Sequence, residues 1–175
     1  MAFSFVFDVE AASTNNNSAT TGSVDTTGAT FIVIECNHDN ASAVAPTDSK
    51  GNTWTAHTRY KSSAPGTQFY SCVNPTVGSG HTFTLSSTSN YPSLGVIGFS
   101  TATDAAIDQQ NGATTTGSST LASGSITPSK SSHLRGESTK QNGERGFTNT
   151  AGTSSLRGKT NHFTNRLENF PIVVQ

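Results

Sequence analysis

The chain has 175 residues, of which 31% are apolar, with a formal charge of −1 and two cysteines. That length suits one domain, or one domain with an appendage, and no apolar run is long enough to cross a bilayer as a helix. Thr (28) and Ser (25) dominate while Leu (6) and Lys (5) are scarce. Strand formers therefore outnumber helix formers, and the expected class is all-β.

In chain order, Phe3 to Glu10 alternates apolar and polar residues, the period of a strand with one buried face. Asn15 to Gly28 carries turn residues without periodicity and reads as a surface loop, with a short strand around Ser23 to Thr26. Phe31 to Cys36 is the most apolar run, and its continuity predicts a central strand covered on both faces. Ala41 to Ala45 reads as a weak strand. The stretch from Asp48 to Ser87 is the clearest: three strand-like runs separated by turns. Trp54, Ala56, Thr58 and Tyr60 share one parity, as do Phe69, Ser71 and Val73, and again Phe83 and Leu85. The turns are Asp48-Ser-Lys-Gly51-Asn52, Ser63-Ala-Pro65-Gly66 and Pro75-Thr-Val-Gly78-Ser-Gly80, all rich in residues that pre-set or tolerate turn dihedrals. Leu94 to Phe99 is a second continuous apolar run, whose glycines suit the close approach of a neighbour or a bulge. Ala105 to Gly112 leads toward a last strand at Leu121 to Ile126.

Short strands at this spacing predict an antiparallel β-sandwich over residues 1–129, with immunoglobulin-like and jelly-roll strand orders both open. At Lys130 the pattern stops. Leu134, Phe147, Leu156, Phe163 and Leu167 are isolated, and only Phe170 to Val174 regains a strand-like cluster. The sign of the charge changes at the same place: residues 1–129 hold 8 acids and 3 bases, residues 130–175 hold 3 and 7. Residues 130–175 are thus expected to form a basic, irregular C-terminal segment outside the sandwich. A shifted reading frame would produce such a change.

The chemistry-bearing residues nominate no catalytic centre. His38, His57, His81, His133 and His162 lack the spacing of a zinc motif, and His57, opposite in parity to Trp54, is expected to face solvent. The loop acids Asp39, Asp48, Asp104 and Asp108 lack calcium-loop spacing. Asp48 is expected instead to accept hydrogen bonds from backbone amides of its own turn. No catalytic residue, metal or cofactor is expected, and the chain does not read as an enzyme. Cys36 and Cys72 read as buried free thiols, the alternative being one staple between strands. The lone Trp54 is expected in the core. Tyr60, Tyr70 and Tyr91 are the candidates for stacking on a glycan. Asn16 and Asn40 begin Asn-x-Ser patterns that matter in a secreted eukaryotic setting. The basic tail lacks aromatic interleaving, so neither nucleic acid nor membrane is an expected partner.

Three stretches carry a resemblance: Asp48-Ser-Lys-Gly-Asn-Thr-Trp54, Val73-Asn-Pro-Thr-Val-Gly-Ser-Gly-His-Thr-Phe83 and Leu94-Gly-Val-Ile-Gly-Phe-Ser100. Residues 1–129 resemble the β-sandwich modules of bacteriophage virion proteins and bacterial surface proteins. The resemblance implies a non-enzymatic structural or adhesion module on a virion or extracellular surface, reached without a recognisable signal peptide. Its implied partners are other virion or surface proteins, and its edge strands invite homo-oligomers. The alternative is a carbohydrate-binding module that uses exposed aromatic residues.

Overall fold

The computed structural model describes residues 3–13, 18–38, 44–59, 66–86, 91–101, 105–114, 125, 127, 134–140, 144–148, 155–159 and 168–174. All regular structure among them is β, and every strand pairing is antiparallel. The chain divides into two compact units, Phe3–Asp104 and Ala105–Gln175 with Met1–Ala2, so the division falls before the boundary expected at residue 129.

The first unit contains a five-stranded and a three-stranded sheet. The larger has the order β1 (Phe3–Ala12), β8 (Ser93–Thr101), β3 (Phe31–His38), β6 (Gly66–Val73), β5 (Thr55–Ala56). The smaller has the order β2 (Ser18–Thr20), β7 (Phe83–Ser86), β4 (Thr47–Asp48). One apolar cluster joins them. Phe7, Ile32, Ile34, Cys36, Tyr70, Leu94 and Val96 of the large sheet pack with Ala19, Phe83 and Leu85 of the small one. Phe7 stacks on Phe83 with ring centroids 6.1 Å apart, and Trp54 meets Phe83 edge-on at the same distance. Two layers closed over one core are the physical requirement of a sandwich.

The continuous apolar runs behave as expected of central strands. Every residue of β3 is buried, as are Ser93 to Phe99 of β8. Ile32, Ile34 and Cys36 face the joint core, while Phe31, Val33 and Glu35 on the opposite parity are equally buried. Glu35 accepts a hydrogen bond from Asn37 Nδ2 at 3.0 Å, and Asn37 in turn accepts one from the Thr67 hydroxyl. Such partners are what a buried polar row requires.

In the first strand the alternation holds only in part. Phe5 pairs with Phe99, but Phe7 pairs with Gly98, and this shift of register is a β-bulge that inserts Val6. The inserted residue turns Phe5 to the opposite face from Phe7. Phe5 is accordingly 44% exposed and Phe7 only 5%.

The two cysteines are free and buried. Cys36 is the register partner of Gln68, and Cys72 that of Ile32. Four steps of about 3.4 Å along the strands therefore part the two positions, beyond the reach of a disulfide.

The second unit holds β9 (Ile107–Gln110), β10 (Ala113–Thr114), β11 (Leu134–Lys140), β12 (Glu144–Thr148), β13 (Ser155–Lys159) and β14 (Glu168–Val174). β14 lies between β11 on one side and β9 and β10 on the other, and β12 pairs with β13. Of these, β9 and β10 lie in the part expected to belong to the sandwich, whereas β11 to β14 fall within residues 130–175, the segment expected to be irregular. The Phe170 to Val174 cluster, the one strand-like signal there, lies in β14, on which three other strands pair. The expected strands at Ala41 to Ala45 and Leu121 to Ile126 lie largely outside the described residues.

Candidate functional site

One carboxylate organises one end of the first unit. The turn after β4 begins at Asp48, whose carbonyl accepts from Gly51 N at 3.3 Å. Gly51 has φ +74°, a conformation that a side chain would strain. The folded turn aims backbone and side-chain donors at Asp48. Oδ1 accepts from Lys50 N at 2.8 Å and Asn52 Nδ2 at 3.1 Å, and Oδ2 from Asn52 N at 3.1 Å and Trp54 Nε1 at 3.0 Å. The expectation that Asp48 serves its own turn is met.

The turn is only half of the arrangement. His81 Nε2 lies 2.9 Å from Asp48 Oδ1, with both side chains fully buried. On its other side His81 Nδ1 lies 3.0 Å from the Thr26 hydroxyl. That hydroxyl also accepts from Gly78 N at 3.0 Å and lies 3.1 Å from the Gly78 carbonyl. Val24 and His81 form an isolated bridge, each accepting the other's N–H at 2.9 Å. Asn52 ties in the same loop, since its Oδ1 accepts from Thr76 N at 2.6 Å and its Nδ2 lies 3.1 Å from Thr76 O. Segments 24–26, 48–54 and 76–81 are therefore held by one connected network, buried at Asp48, His81 and Thr26 and exposed where Asn52 meets Thr76.

Thr26, His81 and Asp48 thus form a hydroxyl–imidazole–carboxylate chain, the order of groups found in hydrolytic triads. Thr26 and His81 are 0% exposed, and the imidazole stacks on Phe83 at 4.2 Å between ring centroids. A nucleophile needs a face open to substrate, and this hydroxyl is spent on Gly78. The chain of groups acts as a clamp.

A second hydroxyl–imidazole contact lies on the large sheet. His57 Nε2 is 2.8 Å from Ser71 Oγ, and His57 N donates to the Phe69 carbonyl at 2.9 Å. His57 keeps the face opposite Trp54 but is half-buried and not the solvent-facing residue its parity implied, because the sheet face it shares with Phe69 and Ser71 is itself buried. Burial holds its pKa below the ordinary 6.5. As pH falls below 6.5 the unfolded chain takes up this proton first, so folding stability drops there. Partial exposure screens the effect, which stays small. Urea titrations across a pH series should show this acid-side loss, and a flatter curve in His57→Gln.

The three expected glycan-stacking tyrosines are not equivalent. Tyr70 is 2% exposed, because its parity in β6 places it beside Ile34 on the core face. Its hydroxyl lies 3.0 Å from the Val44 carbonyl and 3.1 Å from Gln68 Oε1. Burial, reinforced by Cys36 and opposed by Arg59, pushes its pKa up to about 12. A ring so placed offers no face to a sugar, which corrects that expectation. Tyr91 is 39% exposed and has φ +68°, unusual for an aromatic residue. Tyr60 lies outside the described residues.

Among the described residues no three His, Cys, Asp or Glu side chains converge as metal ligands. No helix among them is long and apolar enough to cross a membrane. Reading along the chain found the Asp48 turn but not His81 or Thr26, which stand 33 and 22 positions away. The detectable signal was Gly78-Ser-Gly80-His81, where a histidine follows glycines of φ +145° and +69°. No protein-family model matches this chain, and comparison with curated proteins and with solved structures likewise finds no match.

Proposed function

We propose that this chain is a non-enzymatic structural or adhesion module, presented on a virion or an extracellular surface. The supporting observation is the Asp48 clamp, which joins three separate segments at one end of the core. Loops held this way keep a defined shape while their outward side chains, such as Thr53 and Ser79, vary freely. The hydroxyl-rich composition keeps those wet surfaces soluble. Antibodies raised against residues 48–54 and 76–81 test the reading on purified particles and intact cells of the source. Decoration of either surface is expected, and recovery of the chain only from the soluble interior would overturn it.

Glycan binding is the second reading, and Tyr91 favours it. Backbone strain of this kind costs on the order of 1 kcal/mol and is concentrated at functional sites. Tyr91→Gly removes the ring and relieves the backbone. Stability is expected to change by no more than about 1 kcal/mol while any binding on a glycan array disappears. Binding that survives the substitution would rule Tyr91 out.

A further inference from the structure

Asn111 and Gly112 join β9 to β10, two strands that lie on the same side of β14. Gln110 pairs with Ile172 and Ala113 with Asn169, so the dipeptide stands opposite Pro171 and Phe170. Proline has no N–H to give a ladder, and regular pairing lapses at this point. Gly112 donates its N–H to Oδ1 of Asn111, 2.8 Å away, and Asn111 Nδ2 donates to the Ser125 carbonyl at 3.2 Å. A backbone nitrogen is thereby held against the side-chain amide that precedes it. Gly112 has no Cβ to obstruct a closer approach.

We propose that Asn111-Gly112 is a self-modification site, converting to aspartate or isoaspartate without any enzyme. The Gly112 nitrogen attacks Asn111 Cγ, forming the N–Cγ bond as the Cγ–Nδ2 bond breaks. The side-chain nitrogen leaves as ammonia and carries away the Gly112 proton. Water then opens the five-membered imide at either carbonyl, giving one carboxylate and one more negative charge than the −1 of the starting chain. The carboxylate cannot donate to Ser125, so that hydrogen bond is lost. Isoaspartate also adds a methylene to the backbone, which β9 and β10 cannot both absorb while keeping their register on β14.

Two other asparagines provide controls. Asn52 is locked by Asp48 and Thr76, and Asn37 is buried and donates to Glu35. The full-length protein is aged in mildly alkaline buffer, native and in urea, and each asparagine is followed by peptide mass spectrometry and isoaspartate methylation. Native Asn111 is expected to convert at least as fast as in urea. It should also outpace native Asn52 and Asn37 by roughly tenfold or more, a barrier lower by about 1.4 kcal/mol. Gly112→Ala should slow it by a similar factor. Native Asn111 that converts roughly tenfold slower than in urea would overturn the proposal, as would an unchanged rate in Gly112→Ala.

Discussion

Asp48→Asn should cost about 3–5 kcal/mol of folding stability, although it changes no volume and removes no heavy atom. Both carboxylate oxygens accept only. Lys50 N, Asn52 Nδ2 and His81 Nε2 surround Oδ1, while Asn52 N and Trp54 Nε1 address Oδ2. Whichever way an amide is turned, its NH₂ meets at least two donors. A buried donor left facing a donor loses the whole of its desolvation energy, so the near-isosteric change should be almost as harmful as Asp48→Ala. With typical domains stable by about 5–15 kcal/mol, such a loss leaves little reserve. Trp54 is the only tryptophan in the chain and bonds directly to Asp48, so its fluorescence reports urea unfolding at the clamp itself. A shift below about 1 kcal/mol would mean that water can replace the network, and the clamp would lose its role in holding the loops.

Gly98→Ala should destabilise the first unit by about 1–3 kcal/mol or more, through overpacking. Gly98 sits opposite Phe7 in the β1–β8 ladder, and a Cβ built there would collide with the Phe7 ring. That ring cannot retreat easily, because it is 5% exposed and stacked on Phe83. Phe7→Leu alone should also destabilise, since it removes buried surface. Combined with Gly98→Ala it should cost less than the sum, because the smaller side chain relieves the collision. Thermal or urea unfolding of the four proteins gives the coupling directly. Strict additivity would show that β1 shifts bodily away from β8.

Local features of the fold were readable because their causes are local. Phe83 and Leu85 announce a strand through a two-residue period, and Gly51 and Asn52 announce a turn through the dihedrals they tolerate. The run from Trp54 to Tyr60, by contrast, pairs as a strand only at Thr55 and Ala56 among the described residues. The unbroken apolar run at Phe31 foretold a strand buried on both faces, as β3 is, and the second such run at Leu94 is buried likewise in β8. The glycines of the second run left a bulge and close approach both open, and it is close approach that Phe7 makes at Gly98, the bulge lying in β1 instead. Asp48 could be assigned to its turn because its backbone partners lie within four residues.

Composition and short-range pattern by themselves determined the all-β class, the turns at Asp48 to Asn52 and Pro75 to Gly80, and the acceptor role of Asp48. The turn expected at Ser63 to Gly66 lies largely outside the described residues. Only the tertiary structure decided that β1 lies beside β8, that a bulge at Val6 separates the fates of Phe5 and Phe7, and that Tyr70 points inward. It alone brought Thr26 and His81 to Asp48. The physical reason is that periodicity records which residues share a face, whereas pairing across long loops depends on which distant faces fit together. Each strand satisfies its own alternation in several registers, and the choice among them is made by the packing of Phe7, Phe83 and Ile34 into one core.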